Sequence, residues 1–383
     1  MSVRNVLLLL PLCLGLRGQT PAAAPKPEPD VLIFANGEKL VGHLVASHGG
    51  TLTFKSDSLG DLTIDWKKVQ ELHASETFVV IHKNVELNRK SDLSKLPTGT
   101  VSMTDQKITV TPAAGAPETM PVADAAHLVD QPAFERVVLH SPGFFDAWNG
   151  AVMAGATLVE ATQQSRTFTG AFNLVRAIPT ANWLAARNRT SIDFSASDGF
   201  LSQPGSPSIK TDIIHGDIER DEYFSSKNVF AFGRAAFDHN YSQGLDLQQN
   251  YGGGIGWTAI KRADTTLDIK GSLSYTRQQF APPANCASPC TVNDSHNLVG
   301  AVLAQDYTHK FAKGIQFLEQ ISVIPAFNEP SAYAATANAG LNVPVYKRLS
   351  FSISTADSFL NNPPPGFKKN SFQLTTGLTY TLK

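Results

Sequence analysis

Apolar and polar residues alternate with a period of two along most of the second half of the chain. In the segment from Phe372 to Lys383, Phe372, Leu374, Leu378, Tyr380 and Leu382 share one parity, and Gln373, Thr375, Gly377, Thr379 and Thr381 the other. Successive side chains of a strand point to opposite faces, so this pattern predicts a strand with one greasy and one polar face. The cleanest example is Thr266 to Gln278, where Leu267, Ile269, Gly271, Leu273 and Tyr275 oppose Asp268, Lys270, Ser272, Ser274 and Thr276. Ile192, Phe194 and Ala196 oppose Arg189, Ser191, Asp193 and Ser195, and Leu349, Phe351 and Ile353 oppose Ser350, Ser352 and Ser354. The segment around Phe230, Phe232 and Arg234, which share a parity, is less regular.

Twelve such segments are centred near Val152, Gly170, Ile192, Gly216, Phe232, Gly254, Leu273, Val302, Ile321, Ala337, Ile353 and Leu378. Most run about 9 to 12 residues, the length a tilted strand needs to cross a bilayer. The number is even, as bacterial single-chain barrels require. The chain is therefore expected to be all-β, with a C-terminal antiparallel transmembrane β-barrel over 144–383. The last strand would pair with the first, near Trp148, and close it. Such barrels alternate short periplasmic turns with longer outside loops. The short, basic connections Phe224-Ser-Ser-Lys, Ile260-Lys-Arg-Ala-Asp, Lys310-Phe-Ala-Lys-Gly and Val345-Tyr-Lys-Arg fit one side. The longer loops from Gly199, from Ala281, from Pro325 and from Asn361 fit the other. The connection around Pro179-Thr-Ala-Asn-Trp-Leu breaks the rule by being long on the short-turn side.

The preceding stretch, 30–138, reads as shorter strands and turns that repeat once. Val41-Gly-His-Leu-Val, Thr51-Leu-Thr-Phe and Ile64 to Leu72 return as Thr98-Gly-Thr-Val-Ser, Lys107-Ile-Thr-Val and Met120 to Leu128, at an offset of 56 to 57 residues. Gly42 matches Gly99, Leu52 matches Ile108, Phe54 matches Val110, and Leu72 matches Leu128. Two copies, 30–82 and 83–138, are expected as small SH3-like or Sm-like barrels or as one paired sandwich. Asn36-Gly37 is a hairpin-turn signal within the first copy.

Arg4 followed by an apolar run from Val6 to Leu16 reads as a secretory signal, 1–18, too short to span a bilayer as a helix. Cleavage would fall after Gly18 or within Ala22-Ala23-Ala24, and Leu12 before Cys13 is too large for a lipobox. A proline- and alanine-rich linker, 19–29, follows. The 17% charged residues and net charge of −1 point away from nucleic acid. The 42% hydrophobic content suits a barrel, in which only alternate residues meet lipid. The mature chain would keep Cys286 and Cys290, expected as a disulfide in an exported protein. The rival reading is a metal site completed by His296, although two thiolates alone leave a zinc shell open.

No G-x-S-x-G, H-E-x-x-H or P-loop motif occurs, and the S-x-x-K fragments in Ser91 to Lys95 lie in a polar stretch, so no enzymatic role, cofactor or metal is expected. The sequons at Asn188 and Asn293 carry little meaning in a bacterial chain. If Ile214, Gly216 and Ile218 face lipid, then His215, Asp217, Glu219 and Asp221 face the lumen. Arg189, Asp193, Asp268 and Lys270 would join them. Such a lining either tunes the passage of ions and solutes or neutralises itself in ion pairs. Trp148, Trp257, Tyr275, Tyr307 and Tyr380 are candidates for interfacial girdles.

Ala147 to Ala156, Gln248-Gln-Asn-Tyr-Gly-Gly-Gly-Ile-Gly-Trp-Thr, Leu267 to Tyr275 and Thr376-Gly-Leu-Thr-Tyr resemble the family of salt-induced outer-membrane proteins, a barrel family of unknown function. The resemblance covers about 145–383, and the leader Leu32 to Gly42 with Gly60 to Trp66 resembles the segment often attached to that barrel. Leu382-Lys383 departs from the aromatic usual at the end of such barrels. The resemblance implies an outer-membrane β-barrel and assigns no site residues. The expected whole is a monomeric outer-membrane barrel, in contact with membrane lipids and bearing a periplasmic domain that engages envelope components. It would be either a narrow pore for ions or small solutes or a non-conducting structural or binding barrel.

Overall fold

The computed structural model describes residues 28–83, 85, 87, 92–140, 142–160, 164–181, 184–202, 208–224, 228–282 and 295–382. The expected signal segment, most of the linker and the Cys286–Cys290 pair lie outside them. The chain divides into two compact units, Met1–Glu135 and Arg136–Lys383.

Among its described residues the first unit holds nine strands: β1 Asp30–Phe34, β2 Lys39–His48, β3 Thr51–Ser56, β4 Gly60–Asp65, β5 Val69–His82, β6 Thr98–Thr104, β7 Lys107–Thr111, β8 Glu118–Pro121 and β9 Ala125–Asp130. The repeat is visible element by element. β2, β3, β4, a 3-10 turn at Trp66–Lys68 and β5 return as β6, β7, β8, a 3-10 turn at Val122–Asp124 and β9. Gly42 and Gly99 occupy equivalent crossings, since a Cβ would lie 2.1 Å from the Lys55 carbonyl oxygen in one and 2.2 Å from that of Thr111 in the other. Neither site has room for a side chain.

The copies share one sheet, ordered β4-β3-β2-β1-β5-β6-β7-β8, with β9 pairing back on both β2 and β5. Their matched hydrophobes, Leu52 with Ile108, Phe54 with Val110 and Leu72 with Leu128, are all buried in one common core. The arrangement is thus a fused pair with a single core. Asp30 is buried at its edge, where its carboxylate accepts the Leu44 and Ser75 amides at 2.7 and 2.8 Å. Those bonds replace the water the charge gave up. The indole of Trp66 likewise donates to the Ser47 hydroxyl at 2.8 Å.

The second unit is a closed antiparallel barrel of twelve strands. They are β10 Asn149–Glu160, β11 Gln164–Ile178, β12 Asn188–Ser202, β13 Ile209–Tyr223, β14 Val229–Asn240, β15 Leu245–Lys261, β16 Thr265–Phe280, β17 Ser295–Lys310, β18 Gln316–Ile324, β19 Ala334–Tyr346, β20 Leu349–Leu360 and β21 Asn370–Thr381. Each sits where alternation predicts a strand, but several are longer than the pattern suggests, up to 17 residues in β15. Closure is made by β10 on β21, in the register Ala151↔Thr381 to Ala154↔Leu378. Closing the sheet removes the unpaired edges that an open one would expose.

One end of the barrel carries the connections 325–333 and 361–369 and is called the loop end. The other carries 262–264, 311–315 and 347–348 and is called the turn end. The length contrast is imperfect. β14 and β15 are joined by only 241–244 at the loop end, and β11 and β12 lie nine residues apart in sequence at the turn end.

Much of the outer surface is apolar. Leu158, Leu273, Leu303, Phe372, Leu374 and Leu378 are all more than half exposed, Leu273 at 70%. A folded domain that put this much hydrocarbon into water would aggregate, whereas lipid accepts it. Aromatics lie toward both ends of this surface. Phe168, Phe237, Tyr251 and Tyr275 sit toward the loop end, and Trp257 and Tyr380 toward the turn end, all exposed. Tyr307, also toward the turn end, packs edge-on against Phe317 at 6.2 Å. Trp148 precedes β10, and its indole donates to the Phe144 carbonyl at 2.8 Å. Among the described residues no helix is long and apolar enough to cross a membrane.

Candidate functional site

The barrel interior is the site. With Ile214 and Ile218 exposed on the outside of β13, the intervening His215, Asp217, Glu219 and Asp221 turn inward. The same alternation sends in Arg189 and Asp193 from β12, Arg234 and Asp238 from β14, Asp268 and Lys270 from β16, and Asp306 from β17. Outside, a mid-membrane Arg or Lys would cost about 2–4 kcal/mol, which fixes the parity of these strands.

Near the turn end the Arg189 guanidinium binds two carboxylates at once. Its Nε lies 2.6 Å from Asp221 Oδ2, and its Nη2 lies 2.9 Å from Asp268 Oδ2. β12 and β16 are four strands apart around the barrel, so this second bond bridges the bore. Lys270 is likewise shared, between Glu219 and Asp306, the latter at 2.7 Å. Aromatic faces support both cations: Arg189 lies 5.7 Å from the centroid of Phe230, and the Lys270 Nζ 5.7 Å from that of Phe232.

Midway, Arg234 Nε bonds Asp217 Oδ2 at 2.7 Å. The His215 ring meets Asp238 at 2.6 Å through Nδ1 and Asp217 at 3.6 Å through Nε2. The amide of Gln248 donates to Asp238 at 3.0 Å, and that of Gln278 to Gln248 at 2.9 Å. Asp193 makes no ion pair with a described residue. Of the lumen candidates named from sequence, Arg189, His215, Asp217, Glu219, Asp268 and Lys270 are joined in these pairs, while Asp193 stands beside them. Sequence reasoning left out Arg234, Asp238 and Asp306. Arg234 shares its inward parity with two buried phenylalanines, so β14 carries hydrocarbon on the face that elsewhere is polar.

The wall from β18 to β21 is neutral. Ser322 and Thr336 hydroxyls bond at 2.7 Å, and Ser352 bonds both Asn342 and Thr379 at 2.6 Å. Gln320 and Ala356, on the inward parity of β18 and β20, are nevertheless exposed. Solvent therefore reaches the inside of this wall.

At the loop end, the turn Tyr241–Gly244 between β14 and β15 folds over the mouth. The strand pairs β14–β15 and β20–β21 are diametrically opposed in a ring of twelve. Gln243 closes that gap, donating from Nε2 to the carbonyls of Ser358 at 2.9 Å and Lys369 at 2.8 Å. It is 1% exposed, and its own oxygen accepts from Asn240 at 3.0 Å. Gly244, at φ +66°, lets the turn press on Phe367, whose ring would lie 2.7 Å from any Cβ there. Leu245, the residue after this glycine, forms a small buried cluster with Phe280 and Leu360. The bore thus has a hydrogen-bonded strap at one end and a cross-bore ion pair toward the other.

The first unit carries a cleft of about 420 Å³ lined by His82, Ser94, Lys95, Thr98, Pro112 and Glu118 among others. Across β2 and β9, His48 Nδ1 and His127 Nδ1 lie 3.2 Å apart. Burial pushes the pKa of each imidazole below its ordinary value, and His127 is lowered further by its neighbour. Among the described residues no three His, Cys, Asp or Glu side chains converge as a metal site.

The family model described as "Protein of unknown function, DUF481" matches residues 152–382. No curated protein sequence matches the chain. Similar solved structures include an outer membrane channel from Pseudomonas putida F1, at 12% identity and a TM-score of 0.34, covering 63% of this chain and 100% of that one. The translocator domain of the autotransporter NalP from Neisseria meningitidis is similar at 11% identity and a TM-score of 0.34, covering 61% of this chain and 87% of that one. The β domain of the Bordetella autotransporter BrkA is similar at 10% identity and 0.32, covering 62% and 98%. The architecture itself rests on the closed strand order described above.

Proposed function

Given that this chain belongs to the DUF481 family, whose function is unknown, we propose that it is an outer-membrane β-barrel forming a narrow pore for ions or small solutes. The first unit then sits in the periplasm. The carrying observation is a polar interior that stays solvent-accessible along β18 to β21, at Gln320 and Ala356. A barrel built only as a membrane anchor could fill that wall with side chains. The apolar outer surface with aromatics toward both ends supports the membrane placement. The bore works without covalent chemistry, and the protein acts as a monomer in contact with membrane lipids.

A second reading has its own support. The Gln243 strap and the Arg189–Asp268 bridge both cross the bore, as they would in a non-conducting barrel that anchors the first unit. The cleft beside His82 and Glu118 would then be where an envelope component docks. Purified full-length protein in planar bilayers separates the two. Steady conductance steps support the pore, and their absence from well-folded protein supports the anchor.

A further inference from the structure

We infer that the bore selectively admits small monovalent cations and excludes anions, a statement that rests on the pore reading and names what passes. The basic groups of the interior are outnumbered. Arg189 is shared by Asp221 and Asp268, and Lys270 by Glu219 and Asp306. Arg234 and His215 between them serve Asp217 and Asp238. Asp193 adds a further carboxylate with no ion-pair partner among the described residues. If every carboxylate is ionised, these described groups carry a surplus of negative charge.

The second observation is independent of charge counting. Asp221 is 1% exposed and Asp268 3% exposed, yet Oδ1 of each has no hydrogen-bond partner among the described residues. Leaving a buried carboxylate oxygen bare is costly, so these two atoms favour a positive charge or a water molecule close by. An anion is repelled by the same atoms; a cation is not.

The arrangement also decides what kind of cation. A tightly held divalent ion needs six or more converging oxygens, and a transition metal a compact donor set. Among the described residues no three His, Cys, Asp or Glu side chains are placed to hold a metal ion. Charge spread along the wall from β12 to β17 instead offers several weak positions in sequence, which conduction requires. The facing wall supplies neutral oxygens from Ser322, Thr336 and Asn338, suited to replacing part of a hydration shell.

The test uses purified full-length protein in a planar bilayer under a potassium chloride gradient, with Asp193→Asn as the variant because Asp193 makes no ion pair among the described residues. Its companion measurement is thermal unfolding in detergent, in sodium chloride against choline chloride at equal ionic strength. Steps whose reversal potential lies toward the potassium equilibrium value, and less so in Asp193→Asn, bear out the inference. Non-selective or anion-selective steps overturn it and leave the pore standing. Absence of steps with a higher melting temperature in sodium than in choline, a difference that shrinks in Asp193→Asn, keeps cation uptake and removes the pore. Silence in both measurements removes both, with water alone then satisfying the two orphan oxygens.

Discussion

Arg189 on the third barrel strand and Asp268 on the seventh meet at 2.9 Å across the bore, although 79 residues separate them in sequence. The same guanidinium holds Asp221, so two nearly buried carboxylates depend on one cation. Removing the cation strands both charges. Arg189→Met is expected to destabilise the barrel by about 3–5 kcal/mol, the range for breaking a buried pair. Adding Asp268→Asn to that variant should recover part of the loss. Urea unfolding of lipid-reconstituted protein, followed by tryptophan fluorescence, measures both; a loss within experimental error for Arg189→Met would deny the bridge.

The strap at the loop end makes a separate prediction. Gln243→Ala deletes the donors to the Ser358 and Lys369 carbonyls and should cost about 1–3 kcal/mol. It should also open the mouth. A cysteine placed at Ala356, on the inward face, should then react faster with a membrane-impermeant maleimide added from the loop side. Equal labelling rates with and without the substitution would show that the strap does not limit access.

Parity along β16 can be tested one residue at a time. Leu273 points outward and is 70% exposed, while its neighbour Ser274 points inward. Leu273→Arg should cost about 2–4 kcal/mol in a bilayer, because the charge enters hydrocarbon. Leu59→Arg, at a similarly exposed residue of the first unit, should change stability by less than about 0.5 kcal/mol. Equal costs at the two sites would mean that Leu273 meets water.

The histidine pair of the first unit predicts a pH dependence. His48 and His127 both have folded-state pKa values below the ordinary 6.5, for burial first and, at His127, for its neighbour's charge. Folding therefore opposes their protonation. Stability is complete above the ordinary value and falls as the pH drops through it toward the lowered folded-state values. Hydrogen exchange of β2 and β9 amides between about pH 7.5 and 5 measures this, and His127→Gln should flatten the dependence. Protection independent of pH in the parent chain would refute the assignment.

Much of this fold is legible in the sequence because a strand's period of two survives any tertiary arrangement. Every barrel strand centre, and the closure of β21 on β10, follows from alternation and evenness. The repeat is legible through Gly42 and Gly99, whose crossings exclude a side chain. What alternation cannot supply is stagger. It says that Arg189 and Asp268 face inward, but which inward residues meet depends on how far each strand is offset from the next. The Gln243 strap is hidden for a different reason. Asn240-Tyr-Ser-Gln-Gly244 reads as an ordinary turn, and only the ring geometry brings it onto the opposite wall. The sharing of one sheet by the two repeat copies is invisible for the same reason, since β9 finds β2 and β5 only in three dimensions.

The most direct test of the central claim, a closed membrane-embedded barrel, is electrophoretic. Full-length protein extracted in mild detergent should migrate in SDS at a different apparent mass before and after boiling. It should also require detergent to stay in solution. A protein that is soluble without detergent and shows one band under both conditions would contradict the account.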